Sequence, residues 1–137
     1  MTEYERSRTM PAPPEYVFDQ AANVDGLDSW LPGALHVRAG HLPDVTVHED
    51  RTDEDTAAEL RVRREQMRLE WGTRDQDSYA GWLQVTGVDG GSGEATVHLT
   101  FFDESHDPGK EAVEAALDDS LRRLEEQVRL RVDNAAG

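Results

Sequence analysis

The sequence predicts an α+β fold in which a curved antiparallel sheet of about six to seven strands wraps around one long C-terminal helix. Two observations predict this fold. The middle of the chain alternates apolar and polar residues with a period of two, and its last part has apolar residues at helical spacing. The chain has the length of a single domain and shows no internal repeat, so one domain over residues 1–137 is expected.

The first strand is predicted over residues 3–10. Successive side chains of a strand point to opposite faces, so Arg6 and Arg8 share a face with Tyr4 and Met10. The proline-rich segment 11–14 ends this strand, because proline lacks an amide hydrogen and has a fixed φ.

Two short helices are expected after the first strand. The first begins near Pro14, since proline is tolerated in the first turn of a helix. The second has Asn23 as its candidate N-cap. Its apolar residues recur at i, i+3 and i+4 and share one face; they are Leu27, Trp30 and Leu31.

Six further strands are predicted between Leu35 and Phe102, because apolar residues alternate with polar ones throughout this region. Turn-forming residues separate the strands at Arg74–Asp77 and Asp89–Gly93. The acidic stretch Glu49–Thr56 is expected to be a charged loop. The predicted strands are Leu35–Ala39, Val45–Val47, Leu60–Val62, Met67–Trp71, Tyr79–Val85 and Ala95–Phe101.

The long helix is predicted from Lys110 to about Val132, and residues 134–137 are expected to fray. Its apolar positions have helical spacing, with Ala116 and Ser120 beside them. They are Val113, Leu117, Leu121, Leu124 and Val128. On the opposite face each acid precedes a base by four residues, which predicts the ion pairs Asp118–Arg122, Asp119–Arg123 and Glu125–Arg129.

The net charge of −15 disfavours nucleic acid and anionic membranes as partners, because such a surface repels phosphate groups. No segment approaches the roughly 20 apolar residues that span a bilayer. The first residues also lack the apolar stretch of a signal peptide, so a cytoplasmic location is expected. The chain has no cysteine, which excludes disulfide bonds and thiolate sites.

Two segments and the order of elements resemble a known family. The segments are Ala12–Phe18, with its proline-led helix, and Leu27–Gly33, which runs into a tryptophan and a proline. The strand Met67–Trp71 and the terminal helix also fit. Together they resemble the START-related helix-grip (SRPBCC) superfamily, and within it the small bacterial polyketide cyclase/dehydrase-like proteins. Members of that superfamily share a fold and not a set of catalytic residues.

The resemblance implies a cavity between the sheet and the long helix that suits a small hydrophobic or aromatic molecule. A helix across a strongly curved sheet also leaves a gap unless large side chains fill it. Ordinary core packing is the alternative role of each candidate for the cavity wall. These candidates are Trp30, Trp71, Tyr79, Leu83, Leu99, Phe101, Leu117, Leu121 and Leu124.

Three polar residues are candidates for a pocket. An inward Arg6 or Arg8 could bind a carboxylate or phenolate in bidentate fashion, and on an exposed edge strand it would instead face water. His98 alternates with apolar neighbours and is expected to face solvent, as is Trp82 if Leu83 faces inward. Only in the reversed register would His98 be an acid or base inside the pocket.

No metal site or cofactor is predicted. The histidines lie in different segments without the spacing of ligands, and residues 50–55 lack the central glycine of a calcium loop. Residues 90–93 join two strands, so they are expected to form a hairpin turn and not a phosphate loop.

Three functions remain open from the sequence. The chain could be a cytoplasmic carrier or sensor of a small hydrophobic molecule, which needs only the cavity. It could be a cyclase or aromatase acting on a polyketide-like substrate, with an inward group drawn from Tyr79, His98 and Arg6. It could also be an interaction module whose acidic surface docks a basic protein partner.

Overall fold

The computed structural model describes residues 2–23, 27, 30–31, 35–39, 44–49, 53–73, 79–102 and 109–136. The helices are α1 (Pro14–Ala21) and α2 (Lys110–Ala136), and a 3₁₀ turn covers Arg64–Gln66. The strands are β1 (Thr2–Thr9), β2 (Leu35–Ala39), β3 (Asp44–Glu49), β4 (Glu54–Arg63), β5 (Arg68–Thr73), β6 (Tyr79–Gly87) and β7 (Gly93–Phe101). The predicted fold class is therefore confirmed: a seven-stranded antiparallel sheet, a short helix after the first strand and a long C-terminal helix.

The strands form one sheet in the order β1-β7-β6-β5-β4-β3-β2. From β2 to β7 each strand pairs with the next one along the chain, as a meander of tight turns requires. The first strand then pairs with the last, with Arg6 opposite Val97. The strands β1 and β2 are thus the two edges of the sheet.

Helix α2 lies against β1 and α1, and α1 lies against β6 and β7. The five apolar positions predicted for the inner face of α2 are all buried. Opposite them, alternate residues of the sheet are buried, such as Leu69, Leu83 and Val97. These residues and the buried face of α1 form a single core, as the two periodicities of the sequence predict.

A close backbone approach fixes α1 against the sheet. The Met10 amide donates to the Gly93 carbonyl (2.8 Å), and the Gly93 amide donates to the Ala12 carbonyl (2.7 Å). A side chain at Gly93 would place its Cβ 2.9 Å from the Cα of Pro14. Only glycine therefore lets the start of α1 lie this close to β7.

The structure differs from the sequence prediction in the acidic stretch Glu49–Thr56. Strand β3 continues to Glu49 and β4 begins at Glu54, and these two residues pair in register. The predicted loop is wrong over both ends of this stretch. Two long neighbouring strands satisfy more backbone hydrogen bonds by extending their ladder, and that gain overrides the low strand propensity of acidic residues.

Two further boundaries are corrected. Helix α2 continues to Ala136, which is four residues beyond its predicted end at about Val132. Met67 has a left-handed φ of 50° and precedes β5, and the 3₁₀ turn before it was not predicted. The turn follows from a local change of direction between β4 and β5, which a period of two does not reveal.

The second short helix is described in part. The amides of Trp30 and Leu31 both donate to the Leu27 carbonyl, at 3.2 and 2.9 Å, which closes one turn. The residues 24–26 and 28–29 of that predicted helix lie outside the described residues, as does the predicted turn Arg74–Asp77.

Candidate functional site

The inner face of the sheet is packed at one end and accessible at the other. The paired residues Leu69, Leu83 and Val97 are at most 3% exposed. Two residues further along the same strands, Trp71 and Leu99 also face inward but are only half-buried. The fold therefore leaves apolar surface accessible on its inner side.

The indole of Trp71 lies over Gly81, its partner on the neighbouring strand. A Cβ at Gly81 would be 2.7 Å from the Trp71 ring atoms Cε2 and Nε1, and equally close to Cδ2 of Leu99. The absence of a side chain at Gly81 thus lets Trp71 and Leu99 come together across the sheet. Both side chains are partly buried and contribute apolar surface to the inner face.

Two aromatic rings continue this surface toward the edge strand. Tyr4 pairs with Leu99 in register, and its ring meets that of Phe101 edge to face at 6.0 Å and 75°. Both rings are half-buried. We call the four residues Tyr4, Trp71, Leu99 and Phe101 the inner wall.

The structure brings Trp71, Leu99 and Phe101 together, whereas five other wall candidates have almost no accessible surface. A ligand can contact only surface that the fold leaves accessible, so in this conformation these five form core behind or beside the wall. Tyr79 pairs with Phe101 through its backbone, and its side chain lies outside the described residues. The five are Trp30 (2%), Leu83 (0%), Leu117 (3%), Leu121 (1%) and Leu124 (0%).

Arg6 and Arg8 lie on the α2 side of the edge strand β1 and pair with carboxylates of that helix. Nη2 of Arg6 lies 3.3 Å from Glu114, and its Nε lies 3.5 Å from Asp118. Nη2 of Arg8 lies 3.2 Å from Glu125. These pairs bind α2 to β1 along one edge of the helix.

The predicted ion pairs of α2 are found in part. Arg123 lies 3.0 Å from Asp119, and Arg129 lies 3.7 Å from Glu125. Arg122 pairs with Asp119 and Glu126, while Asp118 is taken by Arg6 on β1. The hydrogen bond from Arg122 lowers the pKa of Asp119 and raises that of Arg122 itself.

The other edge of the buried face of α2 contains polar atoms that form no hydrogen bond within the part of the chain that the structure describes. Ser120 is 2% exposed, and its hydroxyl makes no hydrogen bond within the described part of the chain. One turn later Nη2 of Arg123 is also buried and forms no hydrogen bond to a described residue. A buried donor without a hydrogen bond costs free energy, so burying these two atoms lowers the stability of the fold.

The outer face of the sheet has the opposite chemistry. The Trp82 ring is stacked on His98, with centroids 5.0 Å apart and an interplanar angle of 4°, and the Arg68 guanidinium lies 4.5 Å from the Trp82 centroid. His98 also lies 3.2 Å from Glu5 and 3.5 Å from Glu3. The reversed register does not occur, so His98 lies on the side of the sheet away from the inner wall.

Glu70 connects two arginines on this outer face. Its carboxylate accepts hydrogen bonds from Arg63 and from Arg68, the latter at 3.0 Å. The Arg63 hydrogen bond is the main cause of the lowered pKa of Glu70, and burial opposes it. Beside them the small residues Gly72 and Ala80 leave an open depression of about 330 Å³.

A second polar cluster lies on β3 and β4. The His48 ring is 2.8 Å from Asp55 through Nδ1 and 3.4 Å from Asp53 through Nε2. His36 is opposite His48 in register. Within the described ranges, no three histidine, aspartate or glutamate side chains are placed to hold a metal ion.

Sequence reasoning did not single out Tyr4, Gly81, Ser120 or Arg123 as site residues. A glycine inside an alternating strand signals a close approach, and a serine among the apolar positions of a helix signals a buried polar group. Both signals are present in the sequence. The placement of Arg123 had no such signal, because its spacing assigns it to an ion pair on the exposed side.

The chain matches the model of a protein family described as polyketide cyclase / dehydrase and lipid transport, over residues 1–129. No curated protein sequence matches it. Among the described residues, no helix has both the length and the apolar character needed to cross a bilayer.

Solved structures with the same fold include an aromatase/cyclase, Zhui, from a Streptomyces species, with a TM-score of 0.74, 15% identity, and coverage of 99% of this chain and 98% of that one. The protein XoxI from Bacillus cereus has a TM-score of 0.72 and 16% identity, with 93% and 96% covered. A protein from Thermus thermophilus has a TM-score of 0.69 and 21% identity, with 95% and 99% covered. At these identities the likeness establishes the helix-grip fold and nothing about substrate.

Proposed function

Because this chain belongs to the polyketide cyclase / dehydrase and lipid transport family, we propose that it binds a small hydrophobic or aromatic molecule between the inner wall and α2. In this proposal it acts as a cytoplasmic carrier or sensor. The family's description names polyketide cyclase / dehydrase and lipid transport, and both activities act on small hydrophobic molecules.

One observation gives the binding proposal its strongest support. Four apolar side chains face inward and yet keep accessible surface, although the neighbouring inward positions are fully packed. Exposed apolar surface is unfavourable by about 25 cal/mol for each Å² that a ligand could cover. An aromatic ring placed against Trp71 and Phe101 would remove such surface from water and gain edge or stacking contacts.

The enzyme alternative needs polar groups that converge on the same wall. Of the three groups expected to serve, His98 lies on the outer face, Arg6 is paired with Glu114, and the side chain of Tyr79 lies outside the described residues. A carrier needs none of them. We therefore prefer a binding function to an enzymatic function for this chain.

The docking alternative needs an exposed apolar patch. Within the described residues the large exposed apolar side chains are Tyr16 on α1, Phe102 after β7 and Leu130 on α2. They belong to three different elements. The binding proposal accounts better for the inner wall, which the docking alternative does not use.

The test is a thermal-shift screen of flat aromatic, polyketide-like, sterol and fatty-acid compounds, followed by titration of tryptophan fluorescence. A ligand at 100 times its Kd should stabilise the fold by about 2.7 kcal/mol. The variant Trp71→Phe should lose most of the fluorescence response, because it removes the tryptophan of the inner wall and leaves only Trp30 in the core on that side.

Trp82→Phe is the matched control, since it removes one tryptophan from the outer face of the next strand and should keep the response. A ligand that stabilises the protein but whose signal disappears only in Trp82→Phe would place binding on the outer face. That result, or no stabilisation by any compound class, would refute the proposal.

A further inference from the structure

One row of side chains crosses the outer face of the sheet with an acid at one end and a base at the other. The strand register places one residue from each of five neighbouring strands side by side in this row. Each of them alternates along its strand with residues that point to the inner face. From β1 to β4 the five residues, which we call the outer row, are Glu5, His98, Trp82, Glu70 and Arg61.

The two charged ends of the outer row are exposed, and their present contacts use one atom of each. Glu5 contacts His98 through one carboxylate oxygen, Oε1, at 3.2 Å. Arg61 donates to Glu59 through one nitrogen, Nη2, at 3.1 Å. A carboxylate has a second acceptor oxygen and a guanidinium has further N–H donors. Each end can therefore bind another group of opposite charge.

The distribution of charge makes this face the most favourable one for contact with a second copy of the chain. The sequence has 29 acidic residues against 14 lysines and arginines, so two copies repel each other over most of their surface. In the outer row and the two rows beside it the numbers are nearly equal, with four glutamates and three arginines. These residues are Glu3, Glu5, Glu59, Glu70, Arg61, Arg63 and Arg68.

We propose that the outer faces of two copies of this chain meet in a two-fold symmetric dimer, in which Glu5 of each copy pairs with Arg61 of the other. A two-fold axis that lies in the interface, parallel to β6 and over Trp82, exchanges β1 with β4, because both strands are two places from β6 in the sheet. The same rotation places His98 opposite Glu70. The outer row is thus self-complementary, as a two-fold interface requires. This inference goes beyond the proposed function and does not depend on it, because the inner wall lies on the other face.

The dimer should be weak and reversible. Five strands spaced by about 4.8 Å make a face only about 19 Å wide, and small interfaces are typical of transient association. In the next row Glu3 comes opposite Glu59 of the other copy, and this like-charged contact opposes binding. The small residues Gly72 and Ala80 leave a depression of about 330 Å³ beside Trp82, which gives the two facing tryptophan rings room to lie side by side.

Sedimentation equilibrium from about 10 μM to about 1 mM protein, the range in which small interfaces associate, tests for the dimer. Arg61→Glu should weaken it about tenfold or more, because acids then face each other at both ends of the row. Arg129→Glu is the matched control, since it changes the net charge by the same amount at an exposed position on α2. It should have a much smaller effect. Circular dichroism verifies that each variant is folded.

Glu5→Arg separates the proposed pair from general charge repulsion. This change makes the chain less negative, so general repulsion falls and association elsewhere on the surface would become stronger. The proposed dimer should instead be lost, because bases then face each other. An equimolar mixture of Arg61→Glu and Glu5→Arg should restore a dimer, since every acid of one copy then faces a base of the other.

An unchanged protein that stays monomeric over the whole concentration range overturns the inference. A dimer that Arg61→Glu weakens no more than Arg129→Glu does, or that the mixture does not restore, overturns it as well. If one of the two row variants does not fold, the persistence or loss of the dimer in the other decides. None of these results changes the proposed function, which is tested by ligand binding to the inner face.

Discussion

Trp71 and Trp82 lie on neighbouring strands, one on each side of the same sheet, and their surroundings differ completely. Trp71 and Leu99 both lie close over the glycine Gly81. Trp82 is stacked on His98 with Arg68 beside it. Apolar packing over a glycine therefore surrounds the inner tryptophan. Ring stacking and a neighbouring charged side chain surround the outer one.

The difference shows on which face of the sheet a ligand would gain more binding free energy. On the outer face Trp82 is already in contact with other side chains, and the arginines beside it are paired with carboxylates. On the inner face Trp71 and Leu99 are only partly buried, so they keep apolar surface that a ligand could cover. Three predictions sharpen this comparison, beginning with the largest expected effect.

Leu121→Ala should lower the free energy of unfolding by about 2–5 kcal/mol, because it leaves a cavity in the core beneath α2. Leu121 is 1% exposed. Urea denaturation gives the value. Leu130→Ala on the same helix is the control, since Leu130 is 56% exposed and should change stability by about 0.5 kcal/mol or less. Equal effects of the two variants would mean that α2 does not cover the inner face.

Gly81→Ala should lower the free energy of unfolding by about 1–3 kcal/mol and shift the tryptophan emission, because the new methyl group overlaps Trp71 and Leu99. Gly87→Ala on the same strand is the control. Its nearest neighbour would be Pro14 at 3.5 Å, so a change within about 1 kcal/mol is expected. An unchanged emission in Gly81→Ala would contradict the placement of Trp71 on the wall.

Glu70→Gln on the outer face should have the smallest effect, within about 1 kcal/mol at neutral pH, because exposed ion pairs are screened by water. Arg63 holds the pKa of Glu70 below its usual range in the folded state. The stabilisation is therefore complete above the unfolded pKa and is lost as the pH falls below about 4.

The measurement for Glu70 is urea denaturation of both proteins across this pH range. The stability difference between the unchanged protein and Glu70→Gln should shrink toward acid. Glu65→Gln removes the same charge from the exposed 3₁₀ turn and serves as the control. A difference that grows toward acid would show that the arginines do not stabilise the carboxylate.

The local sequence determined which way most side chains point. The period of two separated Leu83 and Val97 from Trp82 and His98, without fixing which set faces inward, and the helical spacing identified the buried residues of α2. These features follow from the geometry of single strands and helices, which the sequence of one segment defines. The family resemblance then predicted how the helices and strands are arranged in the fold.

Only the tertiary structure decided which inward positions are packed and which remain accessible. Packing depends on the volumes of side chains that are distant in sequence, as where Trp71 and Leu99 both lie close over Gly81. The pairing of Asp118 with Arg6, and the burial of the Ser120 hydroxyl without a hydrogen bond among the described residues, depend on the assembled fold in the same way. Periodicity assigns a residue to a face, but which neighbour it meets there depends on how far apart the assembled elements lie.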